Sequence, residues 1–167
     1  MRLGQILGQY LRKSFFFSSI SNNSTFLEIG SGSRWVKNHF EKHGFSISTL
    51  DINPPADFIC DIKNFRNTEL KDKRFDCIIA FEIVEHVECL KEISGLLNYG
   101  RKVFITTSVP HIDWLCMILE FIGINQKRTS PHCNLAYLNA KNIPTSLKVV
   151  DFKTFFLFSQ WAILQKK

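Results

Sequence analysis

No cysteine pair in this chain is spaced as C-x-x-C, and its five cysteines (Cys60, Cys77, Cys89, Cys116, Cys133) are odd in number and far apart. That spacing excludes a zinc ribbon, a dithiol redox motif and a secreted disulfide framework, so a reducing, cytoplasmic compartment is expected. Long apolar runs are missing too. No stretch approaches the roughly 18 consecutive apolar residues that span a bilayer, so no transmembrane segment is expected. Arg12-Lys13 precede Ser14-Phe15-Phe16-Phe17 near the start, but that run is too short for a signal peptide and no small-residue cleavage site follows. No Lys/Arg run exceeds two residues, so the net charge of +6 reads first as an ordinary lysine-rich surface. An acidic partner such as RNA or anionic lipid is the lesser expectation. Internal repeats and linkers are absent, which makes residues 1–167 one domain.

What is present suits a globular domain able to bury one core: 167 residues, 45% hydrophobic, 22% charged, with sixteen phenylalanines. Leu3, Ile6, Leu7, Tyr10 and Leu11 fall at helical spacing and predict a leading amphipathic helix within 1–22. From residue 25 to 123, strand-like and helix-like segments alternate. Thr25–Ile29 reads as a buried strand, 33–43 as a helix closed by Gly44, and Phe45–Leu50 as a second strand ending at Asp51. A short third strand covers Asp57–Cys60. The continuous apolar run Phe75–Phe81 predicts a central strand covered on both faces. A helix carrying Leu90, Ile93, Leu96 and Leu97 is expected to close at Gly100, with the next strand over Lys102–Val109. An apolar helix follows over Ile112–Ile122, expected to pack in the core or, alternatively, to face a hydrophobic acceptor or a membrane surface. Residues 124–167 supply a loop and two strands, about 146–152 and 156–165. The alternation predicts an α/β, doubly wound, mostly parallel sheet.

The first strand runs into Glu28-Ile29-Gly30-Ser31-Gly32-Ser33-Arg34. A glycine-rich turn at the carboxyl end of a first strand lets a ligand approach bare backbone, where open α/β sheets bind ligands. Twenty-one residues after Gly30, Asp51 can accept hydrogen bonds from both ribose hydroxyls of a nucleoside. A dinucleotide site wants a third glycine three residues after Gly32, but Trp35 stands there. Glu28, two residues before the first glycine, can face the ammonium of a methionine moiety. Both departures favour S-adenosylmethionine (SAM) over NAD.

The successive segments "FLEIGSGSR", "LDINP", "CDI" and "FDCIIAFEIVEHV" resemble, in order, the motifs of class I SAM-dependent methyltransferases, and "RKVFITTSVPH" resembles that family's fifth strand. The resemblance implies a Rossmann-like sheet in the order 3-2-1-4-5-7-6 with an antiparallel C-terminal strand. It also implies that Glu28, Gly30 and Gly32 cradle the methionine part and that Asp51 binds the ribose. Ile52 would pack on adenine, Asp61 would contact the adenine amino group with Ile62 beside it, and Phe81 and Glu82 would line the sulfonium side. Arg34 departs from the family, which commonly has a third glycine there; it tightens the loop or sets a cation near the cofactor carboxylate.

Methyl transfer from a sulfonium needs alignment and exclusion of water more than a covalent residue, with a general base where the acceptor is a hydroxyl. His86, Glu82 and His111 are the catalytic candidates. Glu82-x-x-Glu85-His86 also resembles the ExxEH element of metal-dependent O-methyltransferases, in which a later histidine completes a magnesium site; His132 matches it. No metal is the first expectation, with Glu82, Glu85, His86 and His132 as the ligands should magnesium be used. His39 and His43 are expected on the surface and Cys77 in the core. The expected reaction is SAM-dependent methylation of a small-molecule or lipid-like acceptor, at oxygen. A non-catalytic SAM-binding subunit and an RNA 2′-O-methyltransferase are the alternatives. The short acceptor region predicts an open site, or one completed by a partner or a second copy in a homodimer.

Overall fold

A computed structural model describes residues 3–20, 24–123, 132–138, 141–155 and 159–167. Seven strands form one sheet in the order β3-β2-β1-β4-β5-β7-β6. They are β1 (Phe26–Ile29), β2 (Ile47–Asp51), β3 (Phe58–Ile59), β4 (Phe75–Phe81), β5 (Leu97–Ser108), β6 (Leu147–Phe155) and β7 (Ser159–Lys166). The first five run parallel, and β7 returns antiparallel between β5 and β6. This is the expected α/β Rossmann-like arrangement. All four residues of β1 are buried, because its neighbours cover both edges and each face carries its own core.

One core holds Leu27, Ile29, Ile78, Ala80, Ile93, Leu96 and Ile105 beneath α3 (Leu90–Leu96) and two 3-10 turns. The opposite core is aromatic: Phe16, Phe26, Phe40, Phe104 and Trp161 lie under α1 (Leu3–Phe16) and α2 (Trp35–Lys42). Phe16 is fully buried, with ring centroids 5.1 Å from Phe81, 5.3 Å from Phe104 and 5.7 Å from Trp161. Cys77 sits in this core, as its place within the strand implies.

Four local expectations need correction. Gly100 does not end a helix: α3 passes directly into β5, and Gly100 lies inside that strand at φ 71°. Three residues of β4 (Phe75 to Cys77) oppose six of β5 (Leu97 to Lys102), and the surplus bulges where a positive φ is cheapest for glycine. On α1, Ile6, Leu7 and Tyr10 are exposed, while the helix docks through Leu11, Phe15 and Phe16. The aromatic run at its end outweighs the aliphatic stripe before it. His39 is half-buried, stacked on Phe17 at 5.5 Å; burial, with Lys13 and His43 nearby, pushes it down to about 4. Lastly, α4 (Asp113–Phe121) leaves Trp114, Met117, Ile118 and Phe121 exposed rather than in the core. Among the described residues, no helix is long and apolar enough to cross a membrane.

Candidate active site at the carboxyl ends of the strands

Chain direction decides where the site can lie. Because β1, β2 and β4 are parallel, Ile29, Asp51 and Phe81 end at one rim of the sheet, and the turns after them face each other. Gly30, at φ 73°, donates its N–H to the Leu50 carbonyl at 2.8 Å, joining the turn to β2. A Cβ at Gly30 would stand 1.9 Å from Cδ1 of Ile83, so backbone angle and packing both require glycine there. Gly32 donates its N–H to Oδ2 of Asp51 at 3.3 Å, and Asn53 donates its own to Oδ1 at 3.1 Å. Two backbone donors therefore hold the Asp51 carboxylate beside the glycine turn, with lone pairs left for ribose hydroxyls. Ile52, the next residue, is exposed, an apolar side chain presented at the rim.

Beside that turn lies a cavity of about 130 Å³, lined by Glu28, Gly30, Ser31, Ser33, Trp35, Phe81, Glu82 and Arg12 among others. Glu28 is 4% exposed and its Oε2 accepts the backbone N–H of Lys37 at 3.2 Å. Burial raises its carboxyl to about 8, against the pull of that hydrogen bond and of the Lys37 and Arg34 charges. A cationic ligand group beside this buried carboxyl would favour its charged form and offset the cost of burial. Lys37 is itself held away: its Nζ pairs with Asp57 at 2.8 Å.

Arg34 precedes α2 in the left-handed region, φ 56°, which favours glycine. The chain thus follows the path of a third glycine while carrying a bulky side chain. Asp61 accepts from the Lys63 N–H at 2.9 Å and so caps a 3-10 turn over Ile62–Asn67, and Ile62 is buried in the core. Both sit after β3 at the same rim, Asp61 with one carboxylate oxygen engaged in the cap and Ile62 turned into the core.

On the acceptor side, Glu82 follows β4 at φ 56° and accepts a hydrogen bond from Thr106 Oγ1 at 2.7 Å. Glu85 is buried beside it, and the two carboxyls share a hydrogen bond. Burial, then the neighbouring Glu82 charge, push Glu85 well above the usual carboxylate range. Burial also pushes Glu82 up, but the Arg12 guanidinium and the hydrogen bonds from Glu85 and Thr106 outweigh it and hold Glu82 low. The segment 132–138 fastens this corner: Asn134 N–H donates to the Glu85 carbonyl at 2.8 Å and its Nδ2 to the Val84 carbonyl at 2.9 Å. That brings His132 Nε2 to 3.8 Å from Glu85 Oε1 and its ring to 4.9 Å from His86. Ligating atoms of Glu85, His86 and His132 all lie within 4.8 Å of one another. Glu82, the fourth metal candidate, is engaged by Arg12 instead. His111 is exposed, with Nδ1 2.5 Å from the Tyr137 hydroxyl.

The sequence reading did not find Arg12. It comes from α1, pairs with Glu82 and lies over the Phe81 ring at 5.6 Å. Nothing in its own segment marks it, since the contact spans 70 residues.

Known proteins place this geometry in a family. No curated protein matches the sequence. Solved structures similar to the chain include the PH0226 protein of Pyrococcus horikoshii OT3, 12% identical with TM-score 0.72, covering 98% of this chain and 92% of that one. The N-methyltransferase NodS of Bradyrhizobium japonicum WM9, in complex with S-adenosyl-L-homocysteine (SAH), is 17% identical with TM-score 0.65, covering 97% and 86%. Magnesium protoporphyrin IX methyltransferase of Synechocystis PCC 6803, with bound SAH, is 13% identical with TM-score 0.59, covering 98% and 83%. At such identities they show a shared fold. The family described as Methyltransferase domain matches residues 8–151, which is most of the chain. With that match spanning the glycine turn, Asp51 and the Glu82–His86 corner, the chain belongs to the methyltransferase-domain family, of the class I SAM-dependent kind.

Proposed function

We propose that this protein transfers a methyl group from SAM to the oxygen of a small-molecule or lipid-like acceptor. The observation that carries the reading is the glycine turn hydrogen-bonded to the Asp51 carboxylate beside the buried carboxyl of Glu28. The residues fit the cofactor: Glu28 would meet its ammonium, Gly30 and Gly32 its methionine part, Asp51 its ribose and Ile52 its adenine, with Phe81 and Glu82 on the sulfonium side. When bound, SAM supplies an electrophilic methyl group on a positively charged sulfur. The chain's own part is to orient, exclude water and take a proton. His86, gathered with Glu85 and His132, would act as the base for an acceptor hydroxyl, with Glu82 beside the sulfonium and His111 the outer candidate. The exposed apolar face of α4, Trp114 to Phe121, supports a lipid-like acceptor.

A divalent ion is the second reading, favoured by the gathering of Glu85, His86 and His132. A hard cation there would lower the acceptor hydroxyl's pKa. One assay separates these: product formation from labelled SAM across hydroxyl acceptors, lipid-like phenols and RNA ends, each with magnesium or with chelator. Transfer to a phenolic or lipid-like hydroxyl without metal supports the first reading, and chelator-sensitive transfer the second. Transfer to RNA alone, or cofactor binding without any product, replaces both with an RNA enzyme or a non-catalytic subunit.

A further inference from the structure

The end of the sheet opposite the glycine turn carries the chain's charge. Four segments meet there: the turn into β4 (71–76), the bulge opening β5 (97–102), the entry to β6 (146–148) and the end of β7 (165–167). Between them they hold eight Lys/Arg and two Asp, a net of +6 that equals the net charge of the whole chain. Both acids are already engaged, Asp76 by Arg101 and Asn98, and Asp72 by Lys71. Within this rim the bulge lifts Tyr99 out to 81% exposure. The lift is braced from β7. Lys166 Nζ donates to the Leu97 carbonyl at 2.7 Å, and Gln165 Nε2 donates to the Gly100 carbonyl at 2.6 Å. The same Lys166 ammonium lies over the Tyr99 ring, 4.7 Å from its centroid. Arg74 is exposed and donates to the Lys71 and Lys73 carbonyls; burial, then the Arg74 charge, lower the pKa of Lys166. Two like charges held beside an exposed ring attract an anion that carries planar groups.

We infer that this amino-end rim docks a single-stranded nucleic acid, with a base stacked on the outer face of Tyr99 and phosphates against Arg74 and Lys166. A bilayer fits less well. The exposed apolar stripe of α4 follows the other end of β5, so one membrane could not meet both. The seven residues of β4 put about 20 Å of sheet between this rim and the glycine turn. The docked nucleotides are therefore a point of attachment and not the reacting group, and the inference stands whatever the methyl acceptor is.

The test uses the full chain and two polyanions: a labelled oligouridylate of about 12 nucleotides, read by fluorescence anisotropy, and polyphosphate, which has no bases, read by calorimetry. Tyr99→Ala is expected to weaken the oligonucleotide about 5- to 100-fold, the range of one base–aromatic stack, and polyphosphate by less than about 2-fold. Tyr99→Phe keeps the affinity, a rescue that stacking predicts and a lost hydroxyl contact would not give. Arg74→Gln weakens both ligands and flattens the oligonucleotide's log–log salt dependence by about 0.7, one phosphate contact. SAH is expected to bind all three variants as it binds the unchanged chain. Equal oligonucleotide affinity for Tyr99→Ala and the unchanged chain, or equal losses for both polyanions, overturns the inference. So does an unchanged chain that binds phosphatidylserine vesicles and no oligouridylate at low salt.

Discussion

Glu28→Gln separates what the fold wants at this position from what the ligand wants. The Glu28 carboxyl lies at about 8 in the folded chain against an ordinary 4.5, with burial the main cause. Between those values the folded chain keeps a proton that the unfolded chain has released. The contribution of this one carboxyl to stability is therefore greatest below pH 4.5, falls as pH rises through the window, and levels off above about 8. The whole gap is worth about 5 kcal/mol at roughly 1.4 kcal/mol per pH unit, and about 3 kcal/mol of it is lost by pH 7. Glutamine is neutral throughout and keeps an oxygen for the Lys37 N–H. The variant should therefore unfold with a free energy about 3 kcal/mol higher at pH 7, and less than about 1 kcal/mol higher at pH 5. Urea unfolding at both pH values reads the difference directly. The same change removes the partner of the cofactor ammonium, so SAH affinity should fall about 10-fold or more. A variant less stable than its parent at pH 7, or a gain equal at pH 5 and pH 8, would refute the reasoning.

Other outcomes follow from the same contacts. Arg34→Gly relieves a left-handed residue at φ 56° and should raise unfolding stability by about 0.5–1 kcal/mol, seen as a higher urea midpoint. Phe16→Ala empties the junction of Phe81, Phe104 and Trp161 and should cost about 3–5 kcal/mol, measured by the same unfolding curves. Gly30→Ala meets Ile83 at a positive φ, and should lose about 1–3 kcal/mol. Pairing it with Ile83→Ala recovers the steric part and leaves the backbone part.

The strands were legible because parallel strands covered on both faces must be apolar throughout, and Phe75–Phe81 carries that mark without help from its neighbours. The glycine turn and Asp51 were legible because backbone geometry restricts residue type there. Gly100 misled because a glycine after a helical stripe has two uses, a helix stop and a bulge, and only strand register tells them apart. The docking face of α1 was hidden for a similar reason: Ile6, Leu7 and Tyr10 make a regular stripe, yet burial is decided by where Phe16 finds its aromatic partners. Asp61, expected at the adenine, also caps a turn through one carboxylate oxygen, a use open to any aspartate before a helical segment. Arg12 left no local trace at all, because its meaning depends on Glu82, which only the fold brings to it.

The central claim is that the rim joining Gly30, Gly32 and Asp51 holds an adenosine whose amino-acid end enters the cavity at Glu28. Calorimetric titration of SAH into the unchanged chain and into Asp51→Ala tests it most directly. The account predicts one site per chain, weakened about 10-fold or more when the ribose partner is lost. No heat from the unchanged chain at millimolar SAH, or equal affinity in the two proteins, would contradict it.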